Sequence, residues 1–146
     1  MATKRPSFDF IYMQLAELMA KRSTCIRLQV GAVITTTDYR KVLAVGYNGN
    51  ATGLTNACDR AEPGNCGCLH AEDNACTNCD SPRHVEKLVY VTHLPCVTCA
   101  KRLINLGNVK KVLYRHSYRK TDSIELLRYR GIEVVQLTND NRKADD

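Results

Sequence analysis

Apolar positions recur along this chain at helical spacing first and at strand spacing soon after. From Ser7 to Arg22, Phe8, Ile11, Tyr12, Leu15, Leu18 and Met19 fall on one face of a helix. Val30 to Thr36 is β-branched and apolar, Thr37-Asp38-Tyr39-Arg40 reads as a turn, and Val42 to Tyr47 reads as a second strand antiparallel to the first. A short helix fits His70 to Cys79, and a strand fits Leu88 to Thr92. Pro95 precedes a helix of about ten residues ending at Leu106, with Gly107 as its cap. Lys111 to Tyr114 is a strand, Ser123 to Arg130 a helix closed by Gly131, and Glu133 to Leu137 the last strand. The order α, β, β, α, β, α, β, α, β predicts a three-layer α/β/α sandwich around a five-stranded mixed sheet. That sheet should be largely parallel, with one antiparallel hairpin.

Between the second strand and second helix, residues 48–69 hold Gly49, Gly53, Pro63, Gly64 and Gly67 with several Asn and Asp. Long ordered loops of this kind usually serve function. No repeat or linker divides the 146 residues, so residues 1–146 read as one domain with a polar, frayed tail over 139–146. No apolar run approaches the ~20 residues of a membrane span. The start, MATKRPSFDF, lacks the apolar stretch of a secretory signal, which predicts a soluble cytoplasmic protein. In that reducing compartment eight cysteines read as metal ligands before disulfides. The formal charge of +6 favours an anionic partner and leaves its size open.

Two fragments carry chemistry: Cys68-Leu69-His70-Ala71-Glu72 and Leu94-Pro95-Cys96-Val97-Thr98-Cys99. Each falls at a predicted helix N-terminus, where the helix dipole favours thiolate. Cys96 and Cys99, three apart, would share a helix face. One imidazole (His70) and two thiolates (Cys96, Cys99) make a three-ligand zinc site with a fourth position for water, the arrangement of a catalytic metal. Zinc lowers the pKa of such a water from ~15.7 to ~7. Glu72, two residues after the histidine, can lie beside that water as a proton carrier without being a ligand. His-x-Glu followed by Pro-Cys-x-x-Cys is the signature of zinc-dependent base deaminases. A structural four-ligand zinc completed by Cys66 or Cys68 uses similar residues but gives Glu72 no task.

With these fragments, the chain resembles the deoxycytidylate (dCMP) deaminases of the cytidine deaminase-like superfamily. The resemblance runs from about Phe8 to Gln136. It includes Arg22-Ser23-Thr24-Cys25, Arg27, Val30-Gly31-Ala32-Val33-Ile34, Gly46-Tyr47-Asn48-Gly49, and His70-Ala71-Glu72 with Asn74-Ala75. It implies conversion of dCMP to dUMP and ammonia, supplying thymidylate synthesis, in a homohexamer activated by dCTP and inhibited by dTTP. It implies substrate contacts from Asn48 (to the sugar), Arg27 (to the phosphate), Ala71 and Tyr118, the last together with Arg119, and effector contacts from Tyr47 and Gly49. An amide suits a hydroxyl because it both donates and accepts, and a guanidinium suits a phosphate through paired hydrogen bonds. A turn at Asn48-Gly49 and a solvated Arg27 are the plainer readings of the same residues.

Cys58, Cys66, Cys68, Cys76 and Cys79 crowd around His70, with His84 beyond. Two readings stand side by side. A second, structural zinc of the kind some relatives carry would draw on a set such as Cys58, Cys66 or Cys68, Cys79 and His84; free cysteines packing as small apolar groups are the other. Lys101, Arg102, Lys110, Lys111, Arg115, His116, Arg119 and Lys120 make the second half basic, suiting a nucleoside triphosphate or a subunit interface. The absence of Trp and the presence of only two Phe argue against a single-stranded nucleic-acid platform. A tRNA adenosine deaminase uses the same zinc fragments, but Gly-Tyr-Asn-Gly, the 48–69 loop and the Arg27 segment favour a mononucleotide. A nucleoside or free-base deaminase has no phosphate for Arg27. A non-catalytic zinc module binding nucleotides has no use for Glu72.

Overall fold

A computed structural model describes residues 5–62, 65–118 and 120–138 of the chain. The tail 139–146 and Arg119 lie outside the described residues. Helix α1 (Phe8–Ala20) begins where the Ser7 hydroxyl accepts a hydrogen bond from the Phe10 amide at 3.1 Å. Strands β1 (Gly31–Thr36) and β2 (Val42–Tyr47) form the predicted hairpin. Helix α2 (Ala71–Asn78) follows the long loop, then β3 (Lys87–His93), α3 (Val97–Leu106), β4 (Val109–His116), α4 (Asp122–Tyr129) and β5 (Glu133–Gln136). Gly107 and Gly131, at φ of 95° and 76°, end α3 and α4 in a backbone conformation that other residues adopt with strain.

The five strands stand in the order β2-β1-β3-β4-β5. β3–β4 and β4–β5 are parallel, each joined by a crossover helix. The sheet is less parallel than expected, because β1 pairs antiparallel with β3 as well as with β2. The chain enters β1 from α1 and leaves β2 through α2, and this route brings β3 in opposite to its β1 neighbour.

Alternation along the strands divides the core between the two faces. Val33, Leu88, Tyr90 and Leu113 point to α1 and pack on Met13 and Ala16. Ala32, Ile34, Val89, Val91 and Val112 point to the other face, against Ala71 and Ala75 of α2, Ala100 and Leu103 of α3, and Leu127 of α4. Buried Lys87 ties the start of β3 to the end of α3: its ammonium donates to the carbonyls of Val85 (2.7 Å) and Gly107 (2.9 Å). Among the described residues no helix is long and apolar enough to cross a membrane.

Two glycines set how closely helices approach the sheet. A Cβ on Gly31 would lie 1.9 Å from the Ala16 carbonyl oxygen of α1. A Cβ on Gly46 would lie 2.5 Å from the Ala71 carbonyl oxygen and 2.6 Å from the Ala75 amide nitrogen of α2. These neighbours are helix backbone, which yields only if the helix moves. Gly46→Ala is therefore expected to cost about 1–3 kcal/mol, the usual range for overpacking. Urea unfolding measures this, and an unchanged midpoint would show that α2 shifts freely.

Candidate active site

His70 is the N-cap of α2, in extended backbone at φ −74°, ψ 157°. The placement follows from the cross-bridge before it: Gly49 and Leu69 exchange backbone hydrogen bonds at 3.0 and 2.8 Å, delivering the chain to the helix start. Cys96 is likewise the N-cap of α3, and its thiolate side accepts from the Cys99 amide at 3.5 Å. The two cysteines thus approach each other as cap and third residue of the helix, not along one helical face as the spacing alone suggested. Asp73 of α2 and Arg102 of α3 form an ion pair at 2.8 Å between the two helices that carry these residues.

The His70 Nδ1 lies 3.2 Å from the Cys99 Sγ and 3.6 Å from the Cys96 Sγ, and all three donor atoms fall within 4.8 Å of one another. Zinc–sulfur and zinc–nitrogen bonds of ~2.3 and ~2.0 Å place tetrahedral donors roughly 3.3–3.8 Å apart, so the set fits that ion. Cys66 and Cys68 do not join this group among the described residues, which leaves a fourth direction open. The hydrogen bond from Cys99 and the contact with His70 hold the Cys96 thiol down at about 4, against the effect of its burial. The bond to Cys96 and burial push Cys99 up. His70 is raised, first by its bond to Cys96.

Glu72 stands in the first turn of α2, 4% exposed, two residues after His70. Burial pushes it above the ordinary carboxylate range. A carboxyl so placed beside the three donors is suited to take up and release a proton.

These groups open on a cavity of about 500 Å³, the size of small-ligand sites in general. Arg27, Asn48, Ala71 and Tyr118, all marked in the sequence, line it. Asn48 is buried and not part of a turn: its Oδ1 accepts from the Val30 amide (2.8 Å) and its Nδ2 donates to the Leu28 carbonyl (2.6 Å). One amide hydrogen and one oxygen lone pair remain for a ligand. Arg27 is exposed and donates to the Ala61 carbonyl at 2.8 Å, which turns it over the long loop. Tyr47 and Gly49 are not in the cavity lining. The Tyr47 ring lies under the Arg22 guanidinium at 5.7 Å, and Gly49 is spent on the bridge to Leu69.

A second group of donors lies in the cavity's outer wall. The Sγ atoms of Cys25, Cys58, Cys66 and Cys68 lie within 4.8 Å of one another, with neighbouring pairs at 3.5, 3.6 and 3.8 Å. Four thiols at these separations match a tetrahedral Cys₄ zinc site. This corrects the set built on Cys79 and His84. Cys76 and Cys79 pack on the apolar core beside α2, and His84 is exposed in the turn before β3. The missing partner is Cys25, from the segment joining α1 to β1. It is 33 residues before Cys58, and its only sequence signal is its place in Arg22-Ser23-Thr24-Cys25. Burial opposes ionisation of Cys25, but hydrogen bonds from the Leu28 and Arg27 backbone and from Cys58 and Cys66 outweigh it and bring the thiol down to about 7.

Known proteins share this architecture and sequence. Residues 6–116 match the family described as the cytidine and deoxycytidylate deaminase zinc-binding region. The deoxycytidylate deaminases of Saccharomyces cerevisiae and Schizosaccharomyces pombe are 37% and 36% identical over 92% and 90% of this chain. The chain spans about half the length of these two relatives, 46% and 44%. The dCMP deaminase of the cyanophage S-TIM5, solved in complex with dCMP and dUMP, superimposes with a TM-score of 0.80 at 36% identity, covering 92% of this chain and 100% of that one. By sequence and by fold, this chain belongs to the cytidine and deoxycytidylate deaminase zinc-binding family.

Proposed function

We propose that this protein is a zinc-dependent hydrolytic deaminase converting dCMP to dUMP and ammonia. One observation carries the reading: the donors of His70, Cys96 and Cys99 converge beside a buried carboxyl, Glu72, at the wall of a cavity large enough for a nucleotide. Zinc held by these three residues would lower the pKa of a bound water to ~7 and supply the nucleophile for C4 of the base. Glu72 holds the proton taken from that water, gives it to N3 of the base, and returns a proton to the departing amine. Ala71, at the start of α2, forms the floor under the base. Asn48 offers its remaining amide hydrogen and lone pair to the sugar hydroxyl. Arg27 and Tyr118 receive the 5′-phosphate at the cavity mouth. The dCMP and dUMP bound by the cyanophage relative support the substrate.

A second zinc in this reading sits on Cys25, Cys58, Cys66 and Cys68, where it fixes the 48–69 loop. The Gly-Tyr-Asn-Gly element supports regulation by dCTP and dTTP through Tyr47 and Gly49, and the resemblance supports a homohexamer. The thiols side by side, none in a disulfide among the described residues, suit the cytoplasm, and dUMP would feed thymidylate synthesis.

Ammonia release from zinc-loaded protein tests the assignment with cytidine, dCMP and a tRNA anticodon stem as substrates, each with and without dCTP or dTTP. The expected result is turnover of dCMP. Equal turnover of cytidine would remove the phosphate role of Arg27, and turnover of the tRNA alone would overturn the nucleotide reading.

A further inference from the structure

His93 ends β3 and His116 ends β4, directly paired in the parallel register. Strand alternation puts His93 on the same face as Val89 and Val91, the face that packs on α2 and α3. The pair therefore stands at the carboxyl ends of the strands, one step beyond the core and three residues before Cys96. The rings are 4.9 Å apart between centroids and inclined at 38°. His93 lines the same cavity as Glu72 and Asn48.

Buried Thr92 fixes the hydrogen on this imidazole. Its Oγ1 accepts from the Gly31 amide at 3.2 Å and lies 2.9 Å from the His93 Nδ1. A buried hydroxyl must also donate its own hydrogen, and among the described residues the His93 Nδ1 is the acceptor within reach. With the Thr92 hydroxyl as the donor, Nδ1 is the unprotonated nitrogen and Nε2 carries the hydrogen. Burial and the neighbouring His116 hold His93 below the ordinary imidazole range, which keeps it neutral. Among the described residues Nε2 has no hydrogen-bond partner, so a donor on the cavity wall is left over for a ligand.

We propose that His93 positions the pyrimidine: its Nε2–H donates edge to edge to a base acceptor, and His116, inclined at 38° beside it, holds the ring. The inference deepens the deaminase reading and rests on it for the identity of the ligand. The cation suited to phosphate, Arg27, comes from the long-loop side of the cavity, whereas His93 is close in sequence to Cys96 and so belongs to the reacting end. A donor there meets the lone pairs of a base carbonyl or ring nitrogen, which lie in the plane of the base.

Binding of dUMP to zinc-loaded protein by calorimetry, with deoxyribose 5-phosphate as a competitor lacking the base, tests this. His93→Phe keeps a ring and loses the donor, and should weaken dUMP about five- to tenfold, the cost of one neutral hydrogen bond. His93→Gln, which restores an N–H near the same place, should recover most of the loss. Deoxyribose 5-phosphate should bind all three proteins alike. In wild-type protein the His93 Nε2–H nuclear resonance should move on adding dUMP, a readout that needs no variant. Unchanged dUMP affinity in a zinc-retaining His93→Phe would overturn the proposal, as would an equal loss for deoxyribose 5-phosphate. Failure of the deaminase reading looks different: no turnover of dCMP, with the Nε2–H response to dUMP intact. Turnover without that response would overturn only the role of His93.

Discussion

Glu72→Gln is expected to lower kcat for dCMP deamination by about 10²–10⁴-fold, the usual worth of a positioned acid–base group, while metal content and melting temperature stay near those of the parent. The substitution is nearly isosteric, so the 4% exposed site in the first turn of α2 remains filled. What disappears is a group that can carry a proton. Glutamine keeps the volume of the glutamate side chain, so the packing of α2 on α3 has no reason to change. The loss should fall on kcat, because binding of the nucleotide depends on other residues. Metal analysis with single-turnover kinetics checks the expectation. A variant that kept full kcat with its zinc would show that Glu72 only fills space, and the hydrolytic mechanism would need another base.

The second large effect is expected at the thiol cluster. Cys58→Ser should reduce bound zinc from two equivalents per chain to one. Cys58 is the useful position, because Cys25, Cys66 and Cys68 line the cavity and Cys58 does not. The rest of the loop is held by exposed polar bonds, from Asn50 to the Thr55 carbonyl and the Asp59 carboxylate and from Arg27 to the Ala61 carbonyl. Residues 51–57 are exposed, and the Gly49–Leu69 bridge closes the loop's base. Structural zinc typically supplies several kcal/mol to the fold around it. A loss of about 2 kcal/mol or more corresponds to roughly 4–8 °C in melting temperature for a chain of this size. Cobalt substitution distinguishes the two metals, since a four-thiolate centre has more intense sulfur-to-metal absorption than one with an imidazole. One equivalent of zinc in the parent protein, with no change on Cys58→Ser, would return the cluster to four free thiols.

The deaminase reading and the thiol reading were not equally visible before the fold was known. His-x-Glu and Pro-Cys-x-x-Cys are local patterns, each within six residues, and each acts through the cap of one helix. Their geometry is set by covalent spacing and helix termini, so the sequence discloses them. Even there the detail differed: Cys96 caps α3 from outside, and a cap reaches its helix by a different path from a residue inside it.

Cys25 is of another kind. It meets Cys58, Cys66 and Cys68 because the segment between α1 and β1 crosses over the long loop, and no period or spacing encodes that crossing. The expectation that chose Cys79 and His84 followed nearness along the chain. Cys79 instead ends α2 and turns to the core, since a helix end on the buried face carries its side chains inward. The amide of Asn48 shows a similar limit. Its residue type advertised both donor and acceptor, but the backbone at Leu28 and Val30 uses one of each.

Taken alone, the sequence determined the nine elements, their order, the helix N-termini at which His70 and Cys96 fall, and a carboxyl two residues from a ligand. These depend on periodicity and short-range backbone geometry, which neighbouring residues specify among themselves. Tertiary structure decided that β3 runs opposite to β1, that four thiols from two distant segments meet, that Glu72 is buried, and that His93 stands beside His116 at the cavity wall. Each of these is a contact between residues far apart in the chain, and it exists only once the two core faces have fixed how helices and strands stack.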